Sequence, residues 1–277
     1  MLPSRALGGP GVDAGGDIVE LAQRVSVRVI TYQNYDYPLG GKENYASDRA
    51  AVEKLIELEP AVPRSARLNR EFLGRAVRFA AGQGVSQGAG LPTQQSVHEV
   101  ARAINSDARI VYVDNDPVVL AHSRVLLGTV PNVAFVQGDI RKPAGILGSS
   151  EIHDVLDFGS PVCVLLLAIL HFVRDAEDPA GLVAAFRDAL PAGSYLIMSH
   201  GTAHGALPDI VAASRDARRV YDNATAQIAF REPAEVGRFL DGFSLVEPGL
   251  VHISQWRPPE PGAYEFDGFL AAVARKD

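Results

Sequence analysis

Two carboxylates and a pair of glycines carry most of the chemistry legible in this chain. Asp114 ends the short β-branched and aromatic run Ile110–Val113, and Asp139 follows Val133–Val136 after Gln137 and Gly138. An acid at the carboxyl end of a strand in an open α/β sheet points into the crevice where nucleotides bind. Its two oxygens there can accept from the two hydroxyls of a ribose. Asp139 at the same edge could accept from an adenine exocyclic amine while the amide of Ile140 caps a ring nitrogen; the plainer alternative is that it starts a turn. Gly88-Ala-Gly90-Leu-Pro-Thr93 precedes a helical stretch from Gln94 to Ile104. Glycines let the backbone approach a ligand closely, and a helix amino terminus favours anionic groups. The interval from Gly90 to Asp114 is close to the ~20 residues that separate such a loop from its ribose acid. Together these residues point to an adenosine-containing cofactor.

The elements that must position them are an alternating set. Ile110–Val113 is followed by helical Pro117–Leu127, then Val133–Val136, the apolar run Val162–Leu167, a helical pattern from Pro179 to Leu190, and Tyr195–Met198. Such alternation predicts parallel βαβ units and a doubly wound α/β sheet. Leu245–Val246, Val251–Ile253 and Phe266–Val273 suggest a closing antiparallel pair. Upstream, Ser47–Leu58 and Ser65–Ala81 are amphipathic at helical spacing, with Pro60 and Pro63 between them. The expected layout is a lead-in over 1–17, a helical extension or lid over 18–82, and a Rossmann-like unit over 83–277.

Composition narrows the classes. With 26 basic and 33 acidic residues the net charge is −7 and no basic stripe stands out, which argues against a nucleic-acid binder. No apolar run approaches the ~18 residues of a membrane span, and the Gly/Pro-rich start carries no signal region, so a cytoplasmic protein is expected. The single cysteine, Cys163, lies inside an apolar run and reads as packing, and no metal site is expected. The partner implied is a small molecule; a homodimer is compatible with the sequence.

Gly88-x-Gly90, Tyr112-Val-Asp114-Asn-Asp-Pro, Gly138-Asp139 and Ala168-Ile-Leu-His171-Phe resemble the successive motifs of class I S-adenosylmethionine-dependent methyltransferases. With Gly40-Gly-Lys-Glu-Asn44-Tyr-x-x-Asp48-Arg49, Ala66-Arg67-x-Asn69-Arg70-x-Phe72-Leu and Trp256-Arg-Pro258, the chain from about Arg28 onward is similar to a bacterial family of S-adenosyl methyltransferases formerly of unknown function. The resemblance implies a Rossmann-like methyltransferase fold with S-adenosylmethionine as cofactor. Asp114 then serves the ribose, Asp139 and Ile140 the adenine, and Gly88 and Gly90 the methionine end. Leu91, Pro92, Thr93, Asn115 and Ala168 join that site, as do Asn44, Asn69 and Arg70 of the extension. His171 is the candidate for a general base or a cofactor-edge contact, and His200 is a second histidine at the same edge. Tyr32, Tyr35, Tyr37 and Tyr45 could line a lid over the sulfonium or simply pack the extension. Arg49 or Arg70 could hold a carboxylate, and Trp256-Arg257 could form part of an acceptor pocket or cap an edge strand.

One departure stands out. The resemblance calls for an apolar strand ending in an acid just before the glycine loop. Here Gly82-Gln-Gly-Val-Ser-Gln87 leads straight into Gly88, with Val85 alone apolar and no carboxylate. The expectation is a shortened strand at Val85–Gln87, or a chain in which this part of the family's sequence is lost. Two rival functions stay open: a non-catalytic binding or regulatory protein, and an NAD(P)-dependent oxidoreductase. Against the second, Thr93 stands where a dinucleotide fingerprint has its third glycine, and a Tyr-x-x-x-Lys pair is absent.

Overall fold

Five strands of this chain lie parallel, because each is followed by a connection long enough to return over a face of the sheet. The computed structural model describes residues 53, 56, 57, 60–90, 97–128, 130–206, 229–260 and 267–277. The strands are β1 (Gln87–Gly90), β2 (Arg109–Asp114), β3 (Val133–Gln137), β4 (Cys163–Leu167), β5 (Tyr195–Gly201), β6 (Ser244–Leu245), β7 (Val251–His252) and β8 (Phe269–Arg275). Their order is β3-β2-β1-β4-β5-β8-β6, with β7 also on β8. The first five are parallel, and β8 runs antiparallel to β5, β6 and β7. The doubly wound sheet is therefore as expected, and β8 supplies the closing antiparallel pairing.

The helices are α1 (Val62–Gly82), α2 (Val97–Arg102), α3 (Pro117–Leu127), α4 (Pro143–Leu147), α5 (Ser150–His153), α6 (Pro179–Ala189) and α7 (Pro233–Gly237). In α1 a proline stands in the first turn, and Phe72, Leu73, Ala76, Val77 and Ala80 recur at helical spacing to bury one face. That face packs on the side of the sheet carrying Ile110, Tyr112, Cys163, Leu165, Ile197 and Val273. Strand alternation sends Val111, Val164, Leu166, Leu196 and Met198 to the opposite side, against Val183, Phe186 and Phe239. Trp256 is fully buried and meets Phe72 and Phe79 edge-on, so it belongs to the core rather than to an acceptor pocket or an edge-strand cap. Arg75 fastens that segment to α1, donating from Nε to Trp256 O and from Nη2 to Ile253 O, each at 2.9 Å.

The central strand corrects the reading of the glycines. β1 exists, but it consists of Gln87-Gly-Ala-Gly90 itself, paired along four residues with β2 and along only two with β4. The strand starts two residues beyond Val85, and the sequence expected to form a loop is consumed as strand. Gln87 is buried and accepts the Asp157 amide on Oε1 at 2.6 Å, with Nε2 donating to Asp157 O at 3.2 Å. Under the strand, Val77, Ala80, Gly88, Ala101, Ile110 and Cys163 border a small cavity of about 20 Å³.

Candidate functional site

The carboxyl ends of the parallel strands lie along one edge, and most of the candidate residues meet there. At the end of β2, Asp114 is 4% exposed, and its Oδ1 accepts the amide of Asp116 at 2.8 Å. The Asn115 amide also donates to this carboxylate, which stands at the carboxyl end of β2. Burial raises its pKa to about 6, and the Asp116 charge adds to that. A buried carboxylate at this edge fits a ribose hydroxyl, whose donation would compensate the lost hydration. Asn115 beside it is exposed, and its carbonyl receives Gln137 Nε2 at 3.4 Å.

Asp139 stands at the same edge beyond β3, half-buried. Its Oδ1 accepts the Arg141 amide at 2.9 Å, the turn of the plainer reading, and Arg141 Nη1 approaches it at 3.4 Å. Arg141 is held in turn by Glu177 through Nε at 2.9 Å. The following Ile140 is half-buried against the β3–α4 side of the core.

On the α1 side Asn69 and Ala168 come together through a residue the sequence did not single out. Ser199 of β5 donates its hydroxyl to Asn69 Oδ1 at 2.7 Å and accepts the Ala168 amide on Oγ at 2.9 Å. Ala168 has φ 51°, a left-handed conformation costly for a residue with a Cβ. The Asn69–Ser199 pair therefore fixes the turn at the end of β4. Arg70, next in α1, is half-buried.

The glycines divide. Gly90 ends β1 at this edge, paired with Tyr112. Gly88 lies mid-strand, and an added Cβ would meet Cys163 O at 3.3 Å and the Leu165 and Ile110 side chains. Gly88 is thus a close-packing position of the core and does not line the cofactor edge. Leu91, Pro92, Thr93, Asn44, Arg49 and Tyr32, Tyr35, Tyr37 and Tyr45 lie outside the described residues. Tyr112 Oη receives the His98 amide at 3.2 Å and meets His98 Nδ1 at 3.0 Å, anchoring α2 to β2.

The histidines differ from the expectation. His200 does not follow its strand but lies inside β5, which continues through Ser199-His-Gly201 because β8 pairs with all seven of its residues. It is fully buried; Nδ1 donates to Gly201 O at 2.8 Å and Nε2 accepts Arg231 Nη1 at 2.9 Å. Burial lowers its pKa to about 4. His171, in the turn after β4, accepts the Gly201 amide on Nδ1 at 3.3 Å. A neutral ring accepting on Nδ1 carries its proton on Nε2, so of the two expected roles, general base or cofactor-edge contact, this geometry favours a contact through a donor. Burial first, then the nearby His200 and Arg231, hold its pKa well below the usual histidine value.

Arg231 was not legible in the sequence, since no periodicity marks a lone arginine between segments. It is 5% exposed and binds Asp175 Oδ1 through Nη2 at 2.6 Å, Val173 O at 2.8 Å and Leu170 O at 3.2 Å, besides His200. Among the described residues no cluster of three or more His, Cys, Asp or Glu could hold a metal ion, and no helix is long and apolar enough to cross a membrane.

Comparison with known proteins adds to this geometry. A family model described as S-adenosyl methyltransferase matches residues 22–277. A DUF574 family protein from Streptomyces avermitilis MA-4680 is 38% identical, with a TM-score of 0.81, covering 89% of this chain and 97% of its own. A candidate methyltransferase from Thermobifida fusca YX is also 38% identical, with a TM-score of 0.81, covering 88% and 94%. No curated protein gives a significant match.

Proposed function

Because the chain belongs to the S-adenosyl methyltransferase family, with the class I Rossmann-like sheet, we propose that it transfers a methyl group from S-adenosylmethionine to a small-molecule acceptor. The observation that carries this reading is Asp114, a buried carboxylate at the carboxyl end of β2. Asp114 would hold the ribose, Asp139 and the Ile140 amide the adenine, and Gly90 the methionine end. The bound cofactor would supply an activated methyl on a sulfonium. The chain's own part is to hold donor and acceptor in line, an orientation effect worth up to ~7–11 kcal/mol. The Asn69–Ser199–Ala168 chain serves that purpose by fixing the turn between β4 and His171.

A second reading draws on β1. With two pairings to β4 and no acid at its end, the central strand supports a protein that binds S-adenosylmethionine or S-adenosylhomocysteine without turnover. Nothing in the family comparison favours an NAD(P)-dependent oxidoreductase.

Calorimetric titration with S-adenosylmethionine, S-adenosylhomocysteine and NADH tests the assignment. Micromolar binding of the first two, weakened at least 100-fold by Asp114→Ala, is expected. Absence of binding in the wild type would sink the methyltransferase reading. Binding without methyl transfer across an acceptor panel would favour the second.

A further inference from the structure

Resting on the methyltransferase reading and its adenine subsite, we infer that Arg141 is the positioning residue of that subsite, holding Asp139 where it selects a 6-amino purine over a 6-oxo one. One residue grips two turns at once. Its amide donates to Asp139 Oδ1 at 2.9 Å, closing the turn beyond β3. Its guanidinium reaches Asp139 Oδ1 through Nη1 at 3.4 Å, Glu177 Oε1 through Nε at 2.9 Å and Phe172 O through Nη2 at 3.3 Å. Each guanidinium nitrogen thus serves a different residue.

The far end of this brace is itself anchored. Glu177 accepts the Arg174 amide on Oε2 at 2.8 Å and Arg174 Nε on the same oxygen at 3.1 Å, which leaves Oε1 to Arg141. The Arg174 amide first, then its side chain and the Arg141 charge, hold the Glu177 carboxyl below its ordinary pKa, so it is ionised at neutral pH. Phe172 closes the Leu170–Phe172 turn that follows β4. In the sheet β2 and β1 lie between β3 and β4, so no strand pairing sets one turn against the other. Arg141 supplies that link at the carboxyl edge.

A carboxylate accepts from the exocyclic amine of adenine and repels the carbonyl oxygen of hypoxanthine, provided it meets that atom at hydrogen-bond distance. Arg141 acts on this preference in two opposed ways. Its positive charge offsets part of the Asp139 charge, which by itself weakens the discrimination. Its brace fixes the turn, which strengthens it. The side chains of Arg141 and Asp139 are 35% and 31% exposed, so solvent screens the charge effect but does not replace a lost geometry. Positioning is therefore the larger effect, and the sign of the change on removing the side chain separates the two. Lysine keeps the charge, but a single ammonium does not reproduce the planar fork that spans three acceptors.

The probes are S-adenosylhomocysteine and its 6-oxo analogue, S-inosylhomocysteine, titrated calorimetrically into wild type, Arg141→Met and Arg141→Lys. Wild type should prefer the 6-amino ligand by at least about tenfold, the scale of one hydrogen bond to a charged group. In both variants the preference should shrink to about threefold or less, through loss of S-adenosylhomocysteine affinity and not of the analogue's. An equal loss of both ligands, from unfolding or general loosening, would overturn the inference. A preference that rises in Arg141→Met would assign the residue to charge alone, and a wild-type preference kept in Arg141→Lys would show that the brace is not needed; either result overturns it too. If wild type binds S-adenosylhomocysteine without preferring the amine, the inference falls and the cofactor reading stands. If wild type binds neither ligand, the methyltransferase reading fails and takes the inference with it.

Discussion

Where β5 meets β8, seven residues pair in unbroken register and every residue of β5 is buried, whereas β1 reaches β4 only through Gly88 with Cys163 and Ala89 with Val164. The β5–β8 side is a continuous ladder reinforced by a buried arginine. The β1–β2 side rests on a four-residue central strand with a small cavity beneath it and a carboxylate buried at cost. A ladder distributes its hydrogen bonds over many residues, so it tolerates polar groups such as Ser199 and His200 that each find a partner. A short glycine-containing strand has few bonds and little side chain to bury, and its function must be carried by neighbours. The contrast predicts stability concentrated at β5–β8 and, on the proposed function, ligand dependence at β1–β2.

The largest expected effect tests the rigid half. Arg231→Met removes the donors to Leu170 O, Val173 O and His200 Nε2, and should cost about 3 kcal/mol or more in urea unfolding. A loss under 1 kcal/mol would mean that β5–β8 does not depend on this arginine.

Next is Asp114→Asn, which should act with opposite signs on stability and binding. Raising a carboxyl from its ordinary value to about 6 lets the folded state hold the proton more tightly than the unfolded state. Wild-type stability therefore falls as pH rises through that window, and by neutral pH the buried charge costs up to about 3 kcal/mol. The amide variant should regain part of that at pH 7 in the ligand-free protein while losing S-adenosylhomocysteine affinity. Wild-type affinity should itself decline as pH falls below about 6.

The two halves also titrate in opposite directions. His200, pushed down to about 4, contributes stability present above the ordinary histidine pKa and lost as pH falls toward 4. Asp114 moves the other way over the same range, so Asp114→Asn should steepen the acid limb of a stability-versus-pH curve. An unchanged limb would mean that the two sites are not opposed.

Smaller effects follow. Asn69→Ala deprives the buried Ser199 hydroxyl of its acceptor and should cost about 1–2 kcal/mol, read by chemical denaturation. Ala101→Val directs a larger side chain into the space under β1 and should gain up to about 1 kcal/mol, with slower amide exchange in Gln87–Gly90. No gain would mean that the space is not available to α2.

The comparison also separates what could be read from the chain. Pro117–Leu127 is a helix with the bounds its pattern predicts, and β2, β3, β4 and α6 fall within one or two residues of expectation. Strong local periodicity and a proline at the helix start decide such elements without outside help. The ends of strands were harder. β5 runs through three small or polar residues because β8 arrives from far along the chain to pair with them. His171 was legible as an edge residue but not as a donor, since its tautomer depends on the amide of Gly201, thirty residues away.

Sequence by itself determined the alternating parallel architecture, the acids at the ends of β2 and after β3, and the resemblance that the family comparison bears out. These follow from short-range patterns, in which residue type and spacing act within one element. Only the tertiary structure decided that the glycine segment is spent as the central strand, that Gly88 faces the core, and that Arg231 lies under His200. Each depends on which distant backbone arrives beside it. A strand with few apolar residues of its own is defined by the hydrogen bonds of its two neighbours, and one chain segment cannot announce those in advance.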